Sequence, residues 1–223
     1  MPTLDVETPH GFARAYVQAA EGPRAALALG HGAAGGVTSR DLVTVTDVAL
    51  SEGLSVALVE QPYRVAGRRS PAPARQLDAA WTAVLDHLRA TELAGLPLLV
   101  GGRSLGARVA CRTAAATGAV GVLCLAFPLQ PPSRSGVARP SRLHELDEVS
   151  VPMLVVQGTR DPFGIPPDAQ RRTVVRVAGD HGLKTDLGAV AAAVRAWLPD
   201  ILAHPAQRAV QQVASASEAN ETR

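Results

Sequence analysis

Aromatic side chains are scarce in this sequence, 3% of 223 residues, so Ala, Val and Leu have to fill any core it forms. Lysine is scarcer: 21 of the 22 basic residues are Arg, and Lys184 stands alone. With so much Ala beside it, that bias reads as codon usage in a GC-rich genome rather than as a binding function. The basic residues are scattered and the net charge is +2, which gives no ground for a nucleic-acid partner. Two cysteines, Cys111 and Cys124, do not make a disulfide framework; their apolar surroundings mark them as small buried hydrophobes. No apolar run reaches membrane-spanning length, and "MPTLDVETPHG" lacks the basic and apolar regions of a signal peptide. The expectation is a cytoplasmic protein with no membrane partner.

What is present is a globular composition, 47% apolar and 19% charged, at a length that suits one α/β domain. Short apolar runs alternate with longer amphipathic stretches, as strands and helices do around a largely parallel sheet. Eight strands are expected. "TLDVE" and "FARAYVQA" flank the turn "TPHG" as a hairpin, followed by strands near 25–30, 54–60, 97–102, 120–127, 152–158 and 173–179. The clearest helices are 39–52, 74–92, 105–117 and 186–198; in the second, Leu77, Trp81, Leu85 and Leu88 form a core-facing stripe. The Pro-, Gly- and Arg-rich segments 61–73 and 128–142 read as loops. A domain over 1–200 is expected, with 201–223 a polar tail, frayed or disordered.

The most informative stretch is "LPLLVGGRSLGARVACRTAAA". A buried strand runs into Gly102-Arg103-Ser104-Leu105-Gly106 and a helix begins at once, the context in which G-x-S-x-G forms a nucleophile elbow. Glycines there let strand and helix approach while Ser104 takes a strained conformation that exposes its hydroxyl. Serine is a weak nucleophile near neutral pH, so it needs a base, and the base needs an orienting acid. "TRDPFG" places Asp161 just past one strand, and "DHGLK" places His181 just past the next. Each would leave the C-terminal edge of the sheet, in the chain order Ser, acid, His. The rival histidines fit less well: His10 lies in the hairpin turn, His87 on a helix face, His144 by a short helix and His204 in the tail. Asp180 adjoins the histidine and Asp186 reads as a helix N-terminal residue, leaving Asp168 as the alternative acid.

"ALALGHGAAGGVTSRD" carries Gly30, Gly32 and Gly35 in the spacing of a dinucleotide fingerprint, with Glu60 where a ribose-binding acid is expected. A pyrophosphate site needs its helix to begin within the glycines. Here Thr38, Ser39 and Asp41 look like the capping signal, so the helix starts too late and no cofactor or metal is expected. An extended loop suits an oxyanion hole instead, built from the amides of Ala33 and Leu105.

"LGHGAAGG", "GGRSLGAR", "GTRDPFG" and "GDHGLK" together resemble the α/β-hydrolase superfamily, in particular its compact dienelactone-hydrolase-related branch, over about residues 10–198. "EQPYRVAGRRSPAP", "FPLQPPSR" and "RLHEL" further resemble a small bacterial group whose eukaryotic relatives include a testis-expressed protein and a chromatin-complex subunit. The resemblance implies the α/β-hydrolase fold, a mostly parallel eight-stranded sheet with helices on both faces, and a triad of Ser104, Asp161 and His181. Dienelactone hydrolases use a Cys nucleophile where this chain has Ser104, so lactone specificity does not carry over. About two dozen residues separate the sixth and seventh strands, too few for a lid domain. The expected activity is a serine hydrolase acting on a small-molecule acyl substrate, an ester, thioester or lactone. Arg64, Arg134 and Arg139 are candidates to rim its site and attract an anionic group. The alternative is a protein-interaction module that retains the fold. Neither substrate identity nor oligomeric state is legible.

Overall fold

The computed structural model describes residues 2–131 and 139–203. Its sheet has eight strands: β1 (Thr3–Thr8), β2 (Gly11–Gln18), β3 (Ala25–Gly30), β4 (Leu54–Glu60), β5 (Leu98–Arg103), β6 (Gly121–Leu125), β7 (Met153–Gly158) and β8 (Arg172–Val177). They lie in the order β1-β2-β4-β3-β5-β6-β7-β8. The β1–β2 hairpin pairs antiparallel from Thr3↔Tyr16 to Thr8↔Gly11, β2 pairs antiparallel with β4, and every later pairing is parallel. Since β3, β5, β6, β7 and β8 all run the same way, the residues that follow them emerge at one edge.

The helices among the described residues are α1 (Arg40–Ser51), α2 (Pro62–Val65), α3 (Ala74–Ala90), α4 (Leu105–Thr113), α5 (Leu143–Asp147) and α6 (Leu187–Leu202). Parallel strands buried on both faces read as continuous apolar runs, and every residue of β3 and β7 is buried. Their alternation divides the core. Ala26, Ala28, Val122, Cys124 and Val155 face α3 and α4 with Trp81, Leu85 and Ala107, whereas Leu27, Leu29, Leu123 and Val156 face α1 and α6 with Leu42, Val45 and Val194. The expected stripe Leu77, Trp81, Leu85 and Leu88 is the buried face of α3. Aliphatic side chains dominate both layers, as the shortage of aromatics requires.

Several boundaries differ from the sequence expectation for physical reasons. β6 ends at Leu125 because Ala126 turns to φ 50°, out of the extended region. Segment 61–73 is not all loop: Pro62 opens the four-residue helix α2, which buries Tyr63. Helix α6 runs through Pro199 to Leu202 and buries Leu198 and Ile201, so it continues past the expected helix end at 198. Burial of those side chains outweighs the lost Pro amide. Residues 204–223, the rest of the expected tail, lie outside the described residues. None of the helices among the described residues is long and apolar enough to cross a membrane.

Candidate active site

Strand β5 delivers Ser104 into a sharp turn, and α4 begins at the next residue. Ser104 has φ 52° and ψ −103°, a sterically costly conformation for a residue with a Cβ. The surroundings enforce it. At Gly106 a Cβ would collide with the Gly30 carbonyl, and at Gly102 it would collide with that same oxygen, so the crossing of β3, β5 and α4 admits glycine alone. The non-Gly residues with positive φ among those described are Ser104, Ala126 and Leu183, and all three follow strand C-termini at this edge.

Two other loops meet Ser104 there. His181 follows β8 and Asp161 follows β7. His181 Nδ1 lies 2.8 Å from Asp161 Oδ2, and His181 Nε2 lies 2.9 Å from Ser104 Oγ. A carboxylate can only accept, so Nδ1 carries the hydrogen and Nε2 is free to accept from the serine hydroxyl. The Asp161 side chain is fully buried, and the imidazole retains 20% exposure toward the edge. Phe163 packs edge-on against the ring at 4.5 Å. Asp161 is held as well: its Oδ1 accepts from the Phe163 amide at 2.9 Å, and its Oδ2 accepts from Gln157 Nε2 at 2.8 Å. Gln157 is wholly buried in β7, and sequence reading missed it. A polar residue inside the run "MLVVQG" is the signal that could have found it.

The glycine loop after β3 sits against the elbow. A Cβ on Gly32 would lie 3.7 Å from the Ser104 Cβ, which puts the backbone of this loop beside the serine. Among the described residues the amides of Ala33 and Leu105 make no backbone hydrogen bond. His31, buried at 2% exposure, anchors the loop: its Nδ1 donates to the Gly32 carbonyl at 2.8 Å and its Nε2 accepts from the Gln61 amide at 3.1 Å. Burial pushes the pKa of His31 down, which keeps the ring neutral for these roles. Tyr63 Oη donates to the Ala33 carbonyl at 3.0 Å, so α2 braces the same loop. Helix α1 starts only at Arg40, more than a turn beyond Gly35 and Gly36, and Glu60 accepts from Tyr16 at 3.4 Å. The capping expectation is corrected in one respect. Ser39 holds the N-cap position of α1 without a side-chain bond, and Asp41 is buried beside Arg103.

The rival residues have other places. His10, His87 and His144 are exposed, and His204 lies outside the described residues. Asp168 accepts from the Val174 amide, Asp180 from the Gly182 amide, and Asp186 caps α6 through the Ala189 amide. Arg64 is in α2, Arg139 is exposed, and Arg134 lies outside the described residues. A hollow of about 190 Å³ beside Asp147, Met153 and Arg172 is at the opposite end of the sheet, where β7 and β8 begin.

Strand order, elbow and the convergence of Ser104, His181 and Asp161 at the C-terminal edge define an α/β-hydrolase-fold protein. The chain belongs to the alpha/beta hydrolase domain family, which matches residues 23–187. Solved structures repeat the architecture at low sequence identity. Est1E from Butyrivibrio proteoclasticus is 15% identical, with 90% of this chain and 99% of that chain covered at a TM-score of 0.73. XC6422 from Xanthomonas campestris, described as an α/β serine hydrolase without a lid, is 21% identical, with 89% and 95% covered at 0.67. A dienelactone hydrolase from Anabaena variabilis is 17% identical, with 89% and 96% covered at 0.71. No curated protein matches the sequence significantly.

Proposed function

We propose that the protein is a cytoplasmic serine hydrolase that cleaves a small ester, thioester or lactone through an acyl-enzyme on Ser104. The observation that carries this reading is the unbroken relay from Asp161 through His181 to Ser104, at 2.8 and 2.9 Å, on a strained elbow. In this mechanism His181 Nε2 takes the Ser104 proton as Oγ attacks the acyl carbon. Asp161 holds the tautomer and stabilises the imidazolium, and the amides of Ala33 and Leu105 receive the oxyanion. His181 then protonates the leaving alcohol or thiol, and a water molecule, deprotonated by the same nitrogen, releases the acid and restores Ser104.

Within the family, the motifs "EQPYRVAGRRSPAP" and "RLHEL" support placement in the group related to the testis-expressed protein and chromatin-complex subunit, on the dienelactone-hydrolase-related branch. The substrate in this reading is a small acyl compound met without a nucleic-acid or membrane partner, with Arg64 and Arg139 the candidates among the described residues to attract an anionic group. Est1E has been solved with ferulic acid bound, which makes hydroxycinnamate esters a sensible part of a substrate panel.

The test is labelling with a fluorophosphonate probe followed by a panel of esters varied in chain length and charge. The adduct is expected on Ser104, and Ser104→Ala should take none. On any accepted ester, Ser104→Ala and His181→Ala should each lower kcat by about 10⁴-fold or more, with little further loss in the double variant, because the residues act as a unit. A folded wild-type protein that stays unlabelled would overturn the proposal in favour of a binding module.

A further inference from the structure

Arg103 precedes Ser104 and ends β5, and its guanidinium touches three segments around the site at once. Nη2 donates to the main-chain carbonyl of His181 at 3.0 Å. Nε stands 3.0 Å from Oδ2 of Asp41, in the first turn of α1, in an ion pair whose carboxylate is 1% exposed and whose guanidinium is 18% exposed. Nη1 lies over Gly32, so close that a Cβ there would approach it to 2.8 Å. The relay described above uses none of these contacts.

A buried carboxylate is costly unless a cation compensates it, and a buried pair of this kind is often no more stabilising than apolar residues of the same size. Stability alone therefore does not account for Asp41 and Arg103. The geometry does. A guanidinium spreads its charge and donors over three nitrogens, so Nη2 can donate to the His181 carbonyl while Nε keeps positive charge beside the Asp41 carboxylate, two positions that a compact ammonium cannot hold at once. Asp161 fixes the imidazole of His181 at Nδ1, and the Gly179 carbonyl accepts from the Arg160 amide at 2.8 Å, but both contacts tie the His181 loop to the segment after β7 and not to the strand that carries Ser104. The Arg103 bond to the His181 carbonyl makes that second tie, from the residue covalently attached to Ser104.

We propose that Arg103, anchored by Asp41, is a positioning residue that sets His181 and the Gly32 loop in register with Ser104. The inference rests on the reading of Ser104 as nucleophile. Three variants test it, Arg103→Met, Arg103→Lys and Asp41→Asn, through the rate of fluorophosphonate labelling and through kcat and KM on p-nitrophenyl acetate, each measured on protein shown to be folded by circular dichroism. Misplacing a base by about 1 Å costs about 10²-fold, so Arg103→Met should lower the labelling rate and kcat by about 10- to 100-fold. KM should change less than about threefold, since no substrate contact is lost. Arg103→Lys should recover part of the loss, Asp41→Asn should lose less than Arg103→Met, and the Arg103→Met, Asp41→Asn pair should be no slower than Arg103→Met. A purely structural role would lower the melting temperature and leave kcat per folded molecule unchanged, and that result overturns the proposal. So does a change confined to KM. Should Arg103→Met fail to fold, Arg103→Lys and Asp41→Asn decide the matter: wild-type kcat in both overturns it, reduced kcat in both supports it. Wild-type protein that takes no label overturns the Ser104 reading and this one with it, whereas labelled wild type beside equally labelled variants overturns this one alone.

Discussion

Replacing Gln157 by Met tests whether the acid at the end of the relay is held from behind. The Gln157 amide nitrogen meets Asp161 Oδ2 at 2.8 Å, the Gly164 carbonyl at 2.9 Å and the Phe127 carbonyl at 3.1 Å. Methionine has nearly the same length and no donor. Losing the charge-assisted bond to Asp161 costs about 1.5–3 kcal/mol, and leaving the Gly164 carbonyl without that donor costs about 1–3 kcal/mol. The Phe127 carbonyl keeps the Leu129 amide and adds little. In the other direction, Gln157 Oε1 is buried without a partner, and its removal returns about 1–3 kcal/mol. With each contribution at the middle of its range the net destabilisation is about 2 kcal/mol, or about 4–8 °C in Tm for a chain of this size. Asp161 keeps its bonds to the Phe163 amide and to His181, so fluorophosphonate labelling should slow only on the order of tenfold, far short of the loss expected for His181→Ala. Denaturant unfolding and labelling kinetics on the same preparation give both numbers. A Gln157→Met protein within about 0.5 kcal/mol of wild type that labels at the wild-type rate would refute the reasoning.

Other outcomes follow from the same contacts. His31 has a folded-state pKa pushed down by burial, so its contribution to stability is complete above the unfolded value of about 6.5 and is lost as pH falls from there toward the folded value. Denaturation midpoints should therefore fall between pH 7 and 5, and His31→Gln should flatten that limb; an unchanged slope would count against the neutral clamp. Glu145 is buried, which opposes its ionisation, but hydrogen bonds and charges from Arg108 and Arg112 more than offset this and hold its pKa below the usual carboxylate range. Its stabilisation is present above the unfolded value of about 4.3 and is lost as pH falls through the folded one. Glu145→Gln at pH 7 should cost about 3 kcal/mol by calorimetry, because it leaves the two arginines partly buried around a neutral group. Gly106→Ala should cost about 3 kcal/mol or more and abolish labelling, since the added methyl meets backbone at Gly30 that has no room to yield. Soluble, labelled Gly106→Ala protein would contradict the close crossing.

The sequence by itself determined the parts of this protein that depend on local order. Apolar runs of strand length specified eight strands, the β1–β2 turn chemistry specified the hairpin, and a strand running through Gly102 to Gly106 into a helix specified the elbow at Ser104. The placement of Asp161 and His181 beside Ser104 was legible because each follows its own strand, and parallel strands release their following residues at one edge. Tertiary structure alone decided what supports them. Tyr63 beneath Ala33, His31 against Gln61 and Arg103 against Asp41 join residues that no short window contains, so neither periodicity nor motif spacing carries a trace of the pairing; Gln157 lies only four residues before Asp161, but which way its side chain turns out of β7 was settled by the packing around it. Helix α2 is too short to have a period, and α6 passes through Pro199 because burial of Leu198 and Ile201 outweighs a local preference to stop. Local chemistry places Ser104, Asp161 and His181 at the edge; contacts from the surrounding fold hold them at hydrogen-bonding distance.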